Sequence, residues 1–173
     1  MTHSMKLPIH FYQRHVVDVA KDLLGKKLIF SGHEGFITET EAYGGSDDEA
    51  SHAYRGITNR NAVMFGPPGY AYIYFIYGMH YCLNVVTQPS GEASAVLIRG
   101  LQLPHLHLNG PGKICRHLGI TKNENGLSLM KNENFYLTDG VSVKSMLVTP
   151  RIGIRKATDK LWRFMATEFG EPT

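Results

Sequence analysis

The sequence predicts a single α+β domain built around an antiparallel sheet. Three observations carry that prediction. Strand-like segments recur along the chain with few helical stretches between them, and no repeat or low-complexity tract interrupts them. The chain has 173 residues, 43% of them apolar, enough for one sizeable core. The run YAYIYFIYGMHYCLN, residues 70–84, alternates and then breaks at Gly78, as a β-hairpin does. Residues 1–173 are therefore read as one domain. An alternative start at Met5 would make residues 1–4 dispensable.

Residues 14–24 carry an apolar stripe of Val16, Val17, Ala20, Leu23 and Leu24, and Gly25 stands where a helix would end. Residues 26–30 and 35–40 read as paired strands across the link Ser-Gly-His-Glu. Residues 44–69 form a long segment rich in Gly, Asp, Asn and Arg, and loops of that length are often functional. In the hairpin, Tyr70, Tyr72 and Tyr74 share one face, while Ala71, Ile73 and Phe75 fill the other. Its tip holds Tyr77 and Met79 where small polar residues are usual. Such side chains either fold back onto the core or wait for a surface to insert into. Residues 93–99 read as a strand with Val96 and Ile98 on one face and Leu97 and Arg99 on the other. Residues 112–118 read as a short helix ended by Gly119. Weaker strands fall at 135–137, 141–148 and 151–154, and residues 159–169 are ambiguous between helix and strand.

Composition excludes several classes. The net charge of +3 and a pI near 8.8 are compatible with a nucleic-acid ligand without requiring one. No window approaches a membrane span, and MTHSMKLP lacks the apolar centre of a signal peptide. The two cysteines, Cys82 and Cys115, form no CxxC pair. They are expected to be buried free thiols in a reducing compartment.

Chemistry concentrates in a few places. If the strand continues through Tyr43, then Glu39, Glu41 and Tyr43 share a face, which sets a carboxylate beside an aromatic wall. A solvated strand edge is the plainer reading. The segment SDDEASH offers Asp47, Asp48, Glu49 and His52 either as metal ligands or as a capped turn, with Ser46 and Glu49 matching a capping box. His52 is expected to approach the Glu41 strand. Arg55 and Arg60 look like phosphate contacts. The turn NGPGK is not a nucleotide-binding loop, because Ile114 stands where Ser or Thr must hold magnesium. Its amides and Lys113 suit a phosphate at a helix start, or a plain turn. No lysine lies between Lys27 and Lys113, so a Schiff-base mechanism is disfavoured, unless Lys113 or a more distant lysine folds into the site.

ETEAY, His52, RNxxMF from Arg60, YxYxxYGMxxCxN from Tyr72, Arg99 and NGPGKxC occur in collinear order. Together they resemble the alkyladenine (3-methyladenine) DNA glycosylases, from about the first helix to the Trp-Arg-Phe near the C terminus. The resemblance implies a mixed domain with a curved antiparallel sheet, flanking helices and a protruding hairpin. It implies excision of damaged purines of the 3-methyladenine, hypoxanthine and ethenoadenine class from double-stranded DNA, with no metal or other cofactor. It also implies a monomer without lyase activity, cytoplasmic in a bacterium or nuclear in a eukaryote. By position, Glu41 resembles the water-activating base and Arg99 the residue that holds it. Tyr43, His52 and Tyr74 resemble the walls around the extruded base, and Asn84 the floor that disfavours guanine. Tyr77, with Met79 beside it, resembles the wedge that enters the minor groove. The link from Arg99 to Asn109 is shorter than is common in the family. A nucleic-acid-binding module without catalysis and a metal hydrolase are the competing readings. The glycosylase reading requires Glu41 to face a cavity lined by Tyr74, with Tyr77 protruding beside its mouth.

Overall fold

The computed structural model describes residues 5–173, so the reading of residues 1–4 as dispensable lies outside it. Among the described residues nine strands form one sheet, whose main path runs β3 (Ala71–Ile76), β4 (His80–Val86), β5 (Ala95–Gln102), β2 (His33–Tyr43), β1 (Lys27–Phe30) and β7 (Phe135–Thr138). β6 (His107–Asn109) pairs with β5, and the hairpin of β8 (Val141–Thr149) and β9 (Arg163–Pro172) joins through β2. Every named pairing is antiparallel. The α+β class with a curled antiparallel sheet and few helices is as expected. Among the described residues no helix is long and apolar enough to cross a membrane.

α1 (Ile9–Tyr12) is a single turn with no counterpart in the predicted elements. α2 (Val16–Leu23) begins where the His15 side chain accepts from the Val17 amide, and Gly25 beyond its end has φ +83°. It buries Val16, Val19, Ala20 and Leu23 against the sheet. β1 (Lys27–Phe30) and β2 (His33–Tyr43) are joined by Ser31 and Gly32 alone, both at positive φ. The link is thus two residues rather than four, and His33 and Glu34 belong to β2. α3 (Pro111–Leu118) ends at Gly119 in the left-handed region, as its sequence indicates. β7 (Phe135–Thr138) and β8 match their predicted runs, and residues 163–172 resolve as strand. Residues 151–154 do not form a strand. Here the chain leaves the sheet after Pro150, because the Arg151 side chain turns inward to the Ala42 carbonyl and Asp48.

β5 (Ala95–Gln102) runs past Arg99, which is therefore mid-strand rather than terminal. The register between β2 and β5 slips twice around Glu39: Ile37 faces Leu101, Glu39 faces Gly100 and Thr40 faces Ile98. This bulge changes which side chains face inward. Ile37 and Ala42 both belong to the main core, and Thr40 Oγ1 donates to the Ala20 carbonyl of α2. Strict alternation would put Ile37 on the same side as Glu39 and Glu41. The slip instead sends both carboxylates away from the core. Gly100 permits it, since a Cβ there would lie 2.3 Å from Thr38 Oγ1.

β3 (Ala71–Ile76) and β4 (His80–Val86) form the tyrosine hairpin, with Ile76 opposite His80. Tyr77 (φ +53°), Gly78 (φ +63°) and Met79 make its three-residue connection, closed by the Met79 amide donating to the Ile76 carbonyl. Ala71 and Ile73 enter the main core, while Tyr72 and Tyr74 join a second apolar cluster with Met64, Val86 and Ala95.

Candidate active site

A cavity of about 530 Å³ opens on the face opposite α2, well within the range of small-ligand sites. Its lining includes Glu41, Tyr43, His52, Tyr74, Asn84 and Arg99. Four segments distant in sequence thus meet at one place, with Tyr77, Lys113 and Ile152 also contributing.

Glu41 has no solvent exposure, yet both its oxygens are engaged. The Tyr43 hydroxyl donates to Oε1 at 2.8 Å, and the Ile152 backbone N–H donates to Oε2 at 2.6 Å. Arg99 Nε lies 3.8 Å from Oε2. The closer bond of Arg99 is to Glu39 Oε2, at 3.1 Å, and Arg163 Nε of β9 donates to that same oxygen at 2.7 Å. Two carboxylates and two guanidiniums therefore balance one another at the cavity wall. Burial pushes the Glu41 carboxyl above its ordinary range. The Ile152 amide, Arg99 and the Tyr43 hydroxyl oppose that rise, and the Glu39 charge adds to it. Burial and the Glu41 charge also raise the Tyr43 phenol, so it remains a hydrogen-bond donor. A buried carboxylate of raised basicity, with its lone pairs oriented, is equipped to take a proton from water.

The aromatic walls are arranged unequally. The His52 and Tyr74 rings stack with centroids 3.5 Å apart and planes inclined by 21°. The Arg60 guanidinium lies 4.0 Å from the Tyr74 centroid and donates to the Phe75 carbonyl. Two groups at stacking distance must occupy opposite faces of one ring, so Tyr74 presents only its edge to the cavity. The His52 ring packs against Tyr74 and Tyr72, which shields it from water although the residue as a whole keeps contact with solvent. His52 and Tyr43 both line the cavity, and each has its other face covered, His52 by Tyr74 and Tyr43 by the Arg151 guanidinium. His52 Nδ1 shares a 3.3 Å hydrogen bond with the Tyr72 hydroxyl. Burial of the ring and the nearby Arg60 charge lower His52 to about 4, so the imidazole is neutral at pH 7. At the floor, Asn84 Nδ2 donates to the Tyr72 and Cys82 carbonyls at 3.1 and 3.3 Å, which fixes the amide plane. Burial raises the Cys82 thiol to about 11 and the Cys115 thiol to about 12, and both cysteines are free and buried.

At the mouth, Tyr77 is 83% exposed and Met79 68% exposed. Folding back onto the core is therefore not what the hairpin tip does. A bulky residue at φ +53° is also strained, the kind of outlier found where a side chain must be presented.

Other expectations fare differently. The alternation of Glu39, Glu41 and Tyr43 is real, but Glu39 and Glu41 are buried, so the solvated strand edge is excluded. Asp48 is no metal ligand: its two oxygens accept from Arg151 at 2.6 and 2.8 Å and from the Gly44 and Ala50 amides. Asp48, not Ser46, thus caps that turn. Among the described residues no group of three or more His, Cys, Asp or Glu side chains could hold a metal ion. Arg60 packs over Tyr74 while remaining exposed, and Arg55 is exposed in the loop away from the cavity lining. Lys113 does line the cavity, so the lysine-free argument against a Schiff base does not survive folding. Sequence reasoning missed Arg151, Ile152 and Arg163. Only the ETEAY motif hinted at Glu39, and nothing local marked the other three.

The sequence profile of the methylpurine-DNA glycosylases matches residues 10–169. The chain belongs to that family. Membership makes it a DNA glycosylase, an enzyme of base excision repair that acts on DNA. Similar relatives include one from Ehrlichia ruminantium (strain Welgevonden), 53% identical over 90% of this chain and 86% of the relative. One from Sodalis glossinidius is 52% identical over 89% and 92%, and one from Rickettsia felis is 47% identical over 97% of both. Each of the three carries the name "Putative 3-methyladenine DNA glycosylase". The residues of this glycosylase that line the cavity all fall inside the matched span.

Proposed function

We propose that the protein, acting as a monomer on duplex DNA, swings a damaged purine nucleotide into the cavity. There it hydrolyses the N-glycosidic bond with water activated by Glu41, leaving free base and an abasic site. The observation that carries this reading is the placement of a fully buried carboxylate in the same cavity as His52 and Tyr43, with an exposed Tyr77 at its mouth.

The physics supports each step. A stacked base cannot be attacked at its sugar, and extruding it costs a few kcal/mol. Tyr77, already outside the protein body, fills the gap left behind, and Met79 adds apolar contact. Stacking of the extruded base between His52 and Tyr43 returns roughly 1–3 kcal/mol per base. A cationic methylated purine gains further from the electron-rich Tyr43 face. It also leaves readily, so the single carboxylate Glu41 suffices where ordinary glycosidases use two. As the bond breaks, positive charge grows on the sugar. Glu41 accepts the proton of the water, the water oxygen bonds to the sugar carbon, and the bond electrons leave with the purine. Asn84, its Nδ2 fixed by two carbonyls, sets the floor against bases with an extra amino group there.

Duplexes carrying 3-methyladenine, hypoxanthine or ethenoadenine, incubated with enzyme and excess chelator, are expected to yield free base and intact abasic strands over many turnovers. Binding without turnover would reduce the protein to a lesion-binding module. Borohydride trapping decides the nucleophile. A covalent adduct that disappears in Lys113→Ala would replace water by that amine and add lyase activity.

A further inference from the structure

The Ile152 amide that reaches Glu41 comes from a loop with little else to hold it. The Ile152 side chain is 48% exposed, and residues 151–159 form no regular element, with Gly153 and Ala157 at positive φ. What fixes this loop is the preceding side chain. Arg151 is buried and forks onto Asp48, with Nη1 on Oδ2 and Nη2 on Oδ1. Nη1 also donates to the Ala42 carbonyl at 2.9 Å, next to Glu41 in the chain. Its guanidinium lies 4.6 Å from the Tyr43 ring centroid and 5.4 Å from that of Trp162. Asp48 in turn is tied to the Gly44 amide just beyond β2. A planar fork held on three acceptors and two rings cannot rotate without breaking several contacts. Moreover, Arg151 Nε is buried with no partner, a cost an ordinary surface-loop arginine would avoid by turning outward.

We propose that Asp48 and Arg151 form a latch that holds the Ile152 amide against Glu41, which makes both of them positioning residues for that carboxylate. The inference rests on Glu41 being the base. Glu41 is faced by Glu39 and Tyr43 from its own strand, by Arg99 from β5, Cys82 from β4 and Arg163 from β9. The latch adds the one donor supplied from outside the sheet, by a loop, and that donor is the largest influence opposing the effect of burial. When the latch opens, Glu41 loses the amide but keeps its desolvation, so it protonates at higher pH. Activity then falls on the acid side first and recovers as pH rises.

The test compares pH profiles of single-turnover base release for the full chain, native, Arg151→Lys and Ile152→Pro. Arg151→Lys keeps the charge but loses the fork. Ile152→Pro removes the amide hydrogen at a side chain that is half outside the fold, and is decisive even if the buried substitution prevents folding. Both variants are expected to move the acid limb upward by roughly one pH unit or more, with rates converging on native at high pH. A carboxyl NMR titration of Glu41, assigned by its disappearance in Glu41→Gln, should show the same shift without substrate. Variants that lose stability or lower the rate equally at all pH values, with an unmoved limb and an unmoved Glu41 titration, overturn the latch. If Glu41→Gln itself retains native turnover, Glu41 is not the base and the latch loses its part in catalysis, while an unmoved Glu41 titration in Arg151→Lys and Ile152→Pro overturns the latch itself.

Discussion

The carboxylate wall and the hairpin tip lie on the same cavity and are built on opposite principles. At the wall, Glu39 and Glu41 are buried and held by Arg99, Arg163, Tyr43 and a backbone amide. At the tip, the large side chains of Tyr77 and Met79 stand in solvent, Tyr77 at a φ that does not suit it. The wall lowers the reorganisation needed for proton transfer by fixing its donors in advance. The tip keeps apolar surface exposed until DNA covers it. Substitutions at the two regions should accordingly separate chemistry from binding, and stability from both.

The largest separation is expected from Glu41→Gln. Base release in single turnover should fall by about 10²–10⁴-fold, the usual share of a general base, while affinity for a lesion duplex stays near native. Comparable losses in binding and release would erase the distinction between wall and tip. Tyr77→Ser should do the reverse. Loss of one stacking contact, about 1–3 kcal/mol, weakens binding to a duplex lesion by tens of fold, with much less effect on a lesion in a single strand. Thermal denaturation of the same variant should show no loss of stability, because the side chain removed is 83% exposed and serine keeps the Cβ at the same φ. Glu39→Gln strips the shared anchor from two guanidiniums. Stability should drop by about 3 kcal/mol, measured by urea unfolding, because two mostly buried cations lose their partner.

The smallest effect concerns pH and sharpens the picture at the aromatic wall. His52 is lowered to about 4 when folded, against an ordinary value of 6.5. The unfolded chain therefore binds more protons between those values, and stability is lost as pH falls from 6.5 towards 4. The Asp48 carboxyl is held below its ordinary value by the Arg151 fork, against the pull of burial. Its contribution is present above 3.8 and is lost only on further acidification. His52→Asn should flatten the first window and leave the second. An unchanged slope between pH 6.5 and 4 would show that the histidine titrates as freely in the fold as out of it.

How much of this could be read in advance varied with sequence distance. The tyrosine hairpin was legible because a period of two and a Gly at the turn are local signals. So were α2 and α3, whose terminating glycines follow their apolar stripes directly. The face shared by Glu39, Glu41 and Tyr43 was legible too, although their burial was not, since ETEAY is as hydrophilic as an open edge. The Asp48–Arg151 pair spans 103 residues, and no local pattern announces that two charges will be buried together. Residues 151–154 misled for the same reason: the apolar alternation of Ile152 and Ile154 looks like a strand, and only the long-range pull on Arg151 removes it from the sheet. The Arg60 stack on Tyr74 was invisible because an arginine in a loop gives no sign of which way it turns.

The slipped register around Glu39 means that the two halves of β2 answer to different masters, and that the count of residues between them is itself information. Deleting a single position near Thr38 would rotate everything downstream by half a turn, driving both acids into oil and lifting Ala42 into the groove. Insertions in the exposed stretch 57–59 of the following loop carry no such penalty. Length variation among functional descendants of this chain should therefore pool in that loop and be purged from the few residues joining Ile37 to Thr40, even where their identities drift.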